Sequence, residues 1–373
     1  MKNMTMTSIR KLLVPVAAGL AVLTAAAVSA PAAEVSPALK EVIDAANKEG
    51  SLKLFLHPGA WGDGRGIQRI EAGMNKMFGT KIKINYATGP AMGSIGNQLL
   101  AEFKANRPSA TDVYFGNGPY AIPLIDAGML TSVNWPALLP GRITPSIVEE
   151  NGTLIRSGNN VRQIAYNTKL LPKPPQTLDD WLKPELKGKL ATTPYAAGFI
   201  EMAGLPGWNS ERLIAYSKAL SENVSGLIGC GDEHRVASGE FAALVFVCGS
   251  DADVLKEKGA PIALVTPRDF VSVSYFYLTV PKHATNPNAA KLLITYMMTE
   301  EGQKISWETE RRDLHSFAGS HSGKEVDDAV KNATTPVVWR DVQWMRKNGG
   351  GNEVLAEIIK IFRTKDPNPK TAQ

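Results

Sequence analysis

From residue 38 onward, helix-forming and strand-forming stretches take turns, and this alternation restricts the possible folds more than any other feature of the chain. Residues 38–48 read as a helix stopped by Gly50, and Leu52-Lys53-Leu54-Phe55-Leu56 as a strand. A helix over 66–78, a strand over 81–86, a helix over 96–105, a strand over 111–115 and a short helix over 120–127 follow. Later come helices over 210–221 and 288–298 and strands over 242–247 and 262–265. The last residues read as two helices, 337–347 and 353–362, parted by Asn348-Gly349-Gly350-Gly351. Such a pattern predicts an α/β fold with largely parallel sheets. Sheets of that kind take ligands at the carboxyl ends of their strands, so the residues just after each strand are the candidates for function.

The N-terminus has a different character. Arg10-Lys11 precedes the apolar run 12–28, and Ala30-Pro31-Ala32 offers a small-residue cleavage site. Residues 1–32 are therefore expected to be a cleaved signal peptide, with a periplasmic destination. Lys2, Arg10 and Lys11 carry much of the formal charge of +5; without them 38 basic residues stand against 36 acidic. That balance does not suit a nucleic-acid-binding surface. Roughly 340 residues beyond the leader are more than one core usually holds, which predicts two domains. The Pro-rich stretch 170–175 looks like a crossing between them. Cys230 and Cys248, the only cysteines, are expected to form a disulfide in an oxidising compartment, closing a loop worth roughly 3 kcal/mol.

No intact catalytic motif is found. Met92-Gly93-Ser94-Ile95-Gly96 lacks the first glycine of a nucleophile elbow, and Gly62-Asp63-Gly64-Arg65-Gly66 has the wrong spacing for a dinucleotide fingerprint. His315 and His321 stand in a stretch with Ser316, Ser320 and Ser322, read as a polar loop. An exported hydrolase using those two histidines is the alternative to a non-enzymatic protein. No cofactor or resident metal is expected.

Several phrases then occur together. They are 45–50 (Ala-Ala-Asn-Lys-Glu-Gly), 177–189 (Thr-Leu-Asp-Asp-Trp-Leu-Lys-Pro-Glu-Leu-Lys-Gly-Lys), 236–240, 258–262 and 286–291, the last leading to Glu300-Glu301-Gly302-Gln303. In this order they resemble the extracellular (periplasmic) solute-binding proteins, family 1, of bacterial ABC importers, in the branch that includes ferric-ion binders. The resemblance implies a two-lobed periplasmic-binding-protein fold (type II-like), with hinge strands and a ligand cleft between the lobes. It places lobe 1 at 33–140 and 258–309 and lobe 2 at 141–257 and 310–373. It also implies a monomer that captures a small-molecule solute and delivers it to an inner-membrane permease.

Ferric members of the branch use a histidine, an acid and a tyrosine pair. Here His57 follows the first strand, but Asn117 stands at the acid's place and Gly249-Ser250 near the tyrosine pair's. A trivalent cation wants anionic oxygens, so a small organic solute, of anionic character, is the expected ligand and ferric ion the alternative. Ser94 would meet an oxyanion at a helix start or simply cap the helix. Ser250 carries the same two readings. Trp61 and Tyr195 would either stack on the ligand or pack between lobes. Arg268 would pair with a carboxylate or phosphate, or else with Asp269.

Overall fold

The computed structural model describes residues 35–229, 231–247, 251–348 and 352–365. The expected signal peptide, Cys230 and Cys248 with their expected disulfide, and Ser250 lie outside the described residues. Twelve strands are present among the described ones: β1 (Ser51–Leu56), β2 (Lys83–Thr88), β3 (Tyr114–Asn117), β4 (Val148–Glu149), β5 (Leu154–Val161), β6 (Ile164–Asn167), β7 (Leu190–Thr192), β8 (Val224–Leu227), β9 (Ala243–Val245), β10 (Ile262–Val265), β11 (Ser272–Thr279) and β12 (Val338–Arg340). β1 and β2 pair in parallel. A second sheet runs β12-β11-β5-β4, with β3 also paired to β11, and a third runs β10-β6-β9-β7-β8.

The first half of the alternation is local in origin and forms near its expected places, with the third strand at Tyr114–Asn117 rather than 111–115. The largely parallel pairing expected does not hold, since β11 runs antiparallel to β3 and β5, and β6 to β9 and β10. The helix Pro37–Glu49 starts on Ser36, whose hydroxyl accepts from the Leu39 N–H, and stops at Gly50 in the left-handed conformation. β1 alternates half-buried and buried side chains, putting Leu52, Leu54 and Leu56 inward. Asp112 is fully buried and fastens β1 to what lies beside it. One carboxylate oxygen accepts from the Lys53 N–H (2.7 Å) and the Asn286 side chain, the other from the Thr285 and Asn286 N–H groups. Glu49 works in the same way at longer range. Its carboxylate accepts from the Asn288 and Ala289 N–H groups and caps the helix Pro287–Met297. Two of the family-like phrases, far apart in sequence, are thus one helix-end contact.

Hydrophobic side chains gather into one large cluster and two smaller ones. The first holds residues from Leu39 to Val161 and from Val271 to Met345. The other two hold residues from Ile164 to Phe270, joined by Val338 and, from the C-terminal helix Asn352–Arg363, Ile358 and Phe362. Cluster membership therefore changes at Val161/Ile164, at Phe270/Val271 and near Met345. The reason is that β5 and β11 are paired along most of their length, which keeps 141–161 and 271–279 with the first lobe. Val326 and Ala329 of the helix His321–Asn332 pack into the same cluster. That helix replaces the second half of the expected polar loop. The helix expected over 337–347 begins instead as β12, because Val338 to Arg340 find the open edge of β11 at Ser272 to Ser274. Among the described residues no helix is long and apolar enough to cross a membrane.

Candidate functional site

Two strands leave the first lobe toward the second side by side: β5 runs into β6, and β11 arrives from β10. Where they cross, β11 carries Ser272, Ser274 and Phe276 on one face. Ser274 pairs with Asn160 on one side and Arg340 on the other, and Phe276 pairs with Gly158 and with Asn117 at the end of β3. Side chains on a strand alternate, so Asn117, Phe276, Ser274, Asn160 and Arg340 share that face. It forms a polar bed between the lobes with an aromatic border.

Arg312 lies over the bed. Its guanidinium carbon is 4.3 Å from the Phe276 ring centroid, and Nε donates to Asn160 Oδ1 at 3.1 Å. Glu310 is a loose partner, 3.9 Å away. Beside Arg312, directly after β1, the His57 ring lies 5.5 Å from the Phe115 ring. Burial, and after it the Arg312 charge, pull the imidazole from 6.5 down to about 4, against an opposing effect of Asp63. It is neutral at physiological pH, and its Nδ1 is buried without a hydrogen-bond partner. The Asn117 Oδ1 is likewise buried and unpartnered. Orphaned polar atoms are costly in a folded protein and are a mark of places that receive a ligand or water.

Toward the second lobe the bed is ionic. Arg162 donates to Glu201 Oε1 at 2.7 Å and to the Val247 carbonyl at 2.7 Å, while Ser272 Oγ donates to Glu201 Oε2 at 2.7 Å. Arg340 approaches the same carboxylate at 3.6 Å, and its Nε is buried and unpartnered. Burial pushes the Glu201 carboxyl up, but Arg162, Arg340 and the hydrogen bonds hold it below its ordinary value. One carboxylate serves two guanidinium groups. On the flank of the bed, Arg311 of the first lobe reaches Glu257 of the second at 2.5 Å.

The candidates from sequence divide. His57 and Asn117 meet at the bed. Ser94 lies in the first turn of the helix Met92–Lys104, exposed, with its N–H bonded to the Ala91 carbonyl at 2.9 Å. Tyr195 follows β7 in the second lobe and is 44% exposed. Trp61 is no stacking surface: it is 1% exposed and lies against Phe115 at 5.2 Å between centroids, part of the core beneath His57. Its apolar bulk decided its place. Arg268 is exposed and stands apart from His57 and Asn117. With Glu325 and Asp328 it lines a different cavity of about 370 Å³ between the 264–271 loop and the helix His321–Asn332. His315 and His321 do not form a joint centre. His315 Nε2 meets the Tyr275 hydroxyl at 3.3 Å, whereas His321 stacks on Trp307 at 4.3 Å and meets Asp313 at 3.3 Å. Arg162 is legible from sequence as a hinge-side candidate, but Glu201, Arg312 and Arg340 are not, since only the strand crossing brings them to it. Among the described residues no group of three or more His, Cys, Asp or Glu is placed to hold a metal ion.

Two α/β lobes, paired crossing strands and a polar bed at strand ends define a solute-binding protein of the two-lobed periplasmic type. The chain belongs to the bacterial extracellular solute-binding protein family, whose profile matches residues 72–334. Solved structures agree on the fold. The substrate-binding protein of an ABC transporter from Agrobacterium tumefaciens is 18% identical, with a TM-score of 0.65 over 84% of this chain and 97% of that one. The periplasmic binding protein AfuA from Actinobacillus pleuropneumoniae, bound to fructose-6-phosphate, is 19% identical, with a TM-score of 0.59 over 85% and 98%. Iron-bound HitA from Pseudomonas aeruginosa is 20% identical, with a TM-score of 0.59 over 84% and 99%. One fold thus serves ligands of opposite charge, and the side chains must decide between them.

Proposed function

We propose that the protein captures a small organic anion between its lobes in the periplasm and delivers it, as a monomer, to the inner-membrane permease of an ABC importer. The observation that carries the reading is the grouping of Arg162, Arg312 and Arg340 around the strand crossing, with Glu201 and Glu310 as their carboxylates and the Arg340 Nε left unpartnered. Charged donors of this kind favour a carboxylate or a phosphoryl group. His57, neutral, and Asn117 would complete the contacts from the first lobe. Closure follows if the anion binds the closed arrangement more tightly than the open one.

The same residues argue against ferric ion as the solute, because a histidine, an amide and three guanidinium groups are poor ligands for a hard trivalent cation. The test is a thermal-shift and calorimetric screen of the solute-stripped protein against carboxylates, phosphate esters, phosphonates, polyamines and ferric ion. Binding of an anion that is lost in Arg312→Ala supports the reading. Binding of polyamine or ferric ion alone overturns it.

A further inference from the structure

Beside the helix Gly118–Asp126, which follows β3, a cavity of about 500 Å³ opens between the two lobes. Its walls are Pro119 and Ile122 from the helix Gly118–Asp126 of the first lobe, Ile200 from the second, and Arg340, Trp344 and Leu355 from the C-terminal segment. The volume lies in the range of sites that enclose a small organic molecule, and most of the wall is apolar. Arg340 is the point where this cavity meets the polar bed. Its charge is shared with Arg162 against the single carboxylate of Glu201, and its Nε is buried with no hydrogen-bond partner. The other guanidinium on the cavity, Arg346, is already held by Asp126 at 2.7 Å and approached by Glu150 at 3.6 Å.

Arg340, Trp344 and Leu355 all lie beyond residue 334, where the match to the family profile ends. The chain makes deliberate room for this segment. A Cβ on Gly118 would fall 1.8 Å from the Met345 side chain, and one on Gly204 would fall 2.9 Å from Trp344 Nε1. Gly204 therefore lets the rigid Trp344 indole settle against the second lobe, whereas the Gly118 contact involves only the flexible end of Met345.

From this we infer that the solute is an amphipathic carboxylate, whose acid group meets Arg340 at the edge of the bed and whose apolar body fills the cavity. The inference rests on the reading of the bed as an anion site and adds the class of molecule. Filling the cavity joins walls from both lobes, so the apolar body contributes to closure as well as to affinity.

The experiment compares octanoate, octanol and short anions (acetate, succinate and phosphate) by isothermal titration calorimetry, on protein unfolded and refolded to strip any co-purified solute. Octanoate is expected to bind at least tenfold more tightly than acetate, and octanol at least tenfold more weakly than octanoate. Ile122→Trp, or Leu355→Trp as an independent variant, should remove the octanoate advantage and leave the short anions unchanged. If short anions bind and octanoate binds no better, or if octanol matches octanoate, the inference falls while the anion site stands. An octanoate advantage that survives both tryptophan variants also overturns it. If no anion of either length binds, the underlying reading falls with it.

Discussion

Two arginine settings lie a few residues apart on the same sheet face and do opposite things. Around Glu201, Arg162 is held at 2.7 Å by a buried carboxylate that also accepts from Ser272, while Arg340 stands further off at 3.6 Å. Around Phe276, Arg312 leans on an aromatic ring and an amide, with a carboxylate only at 3.9 Å. A buried pair matched by hydrogen bonds holds strands together, and its loss strands a charge in the interior. A guanidinium resting on an aromatic ring keeps its attraction for an incoming anion. The lesson is that burial and pairing, not residue type, separate Arg162, which fixes the hinge, from Arg312 and from Arg340 with its unpartnered Nε, which keep their attraction for a ligand.

This contrast can be broken in order of size. Glu201→Gln should destabilise the protein by about 3–5 kcal/mol in urea denaturation, because two partly buried guanidinium groups lose their buried counter-charge. A loss below about 1 kcal/mol would show that the cluster does not hold the crossing. Arg312→Ala should cost an anionic ligand about 2 kcal/mol of binding free energy with little change in melting temperature, a combination read by calorimetry and thermal melts together. The reverse outcome, unchanged affinity with lost stability, would move Arg312 to the structural side.

His57 sharpens the comparison through pH. Its folded value of about 4 lies below its ordinary 6.5, so the folded protein resists a proton that the unfolded chain accepts. Stability is fully present above about pH 6.5 and falls as the pH drops toward 4, by about 2 kcal/mol after discounting for partial exposure. In a His57→Asn variant this part of the pH dependence should vanish; an identical pH profile would remove His57 from the account. Smallest is Glu257→Gln. The pair with Arg311 crosses the lobes at the surface, so the change in stability should stay below about 1 kcal/mol.

What the sequence determined is what local physics determines. Ser36 and Gly50 punctuate a helix, the leucines of β1 alternate, and the strand-helix rhythm names an α/β fold; His57 and Asn117 stood out as candidates because strand ends are where such folds bind. Trp61 was not, since the same indole serves a core or a cleft and only its neighbours choose, here Phe115. Nor was β12, where tertiary pairing with β11 overrode a helical pattern. The lobe boundaries and the arginine cluster were decided by long-range register: residues 162, 201, 312 and 340 share no spacing that a linear reading detects. They meet because β5, β11 and β12 lie side by side, and hydrogen-bond pairing between distant strands is a property of the folded chain alone.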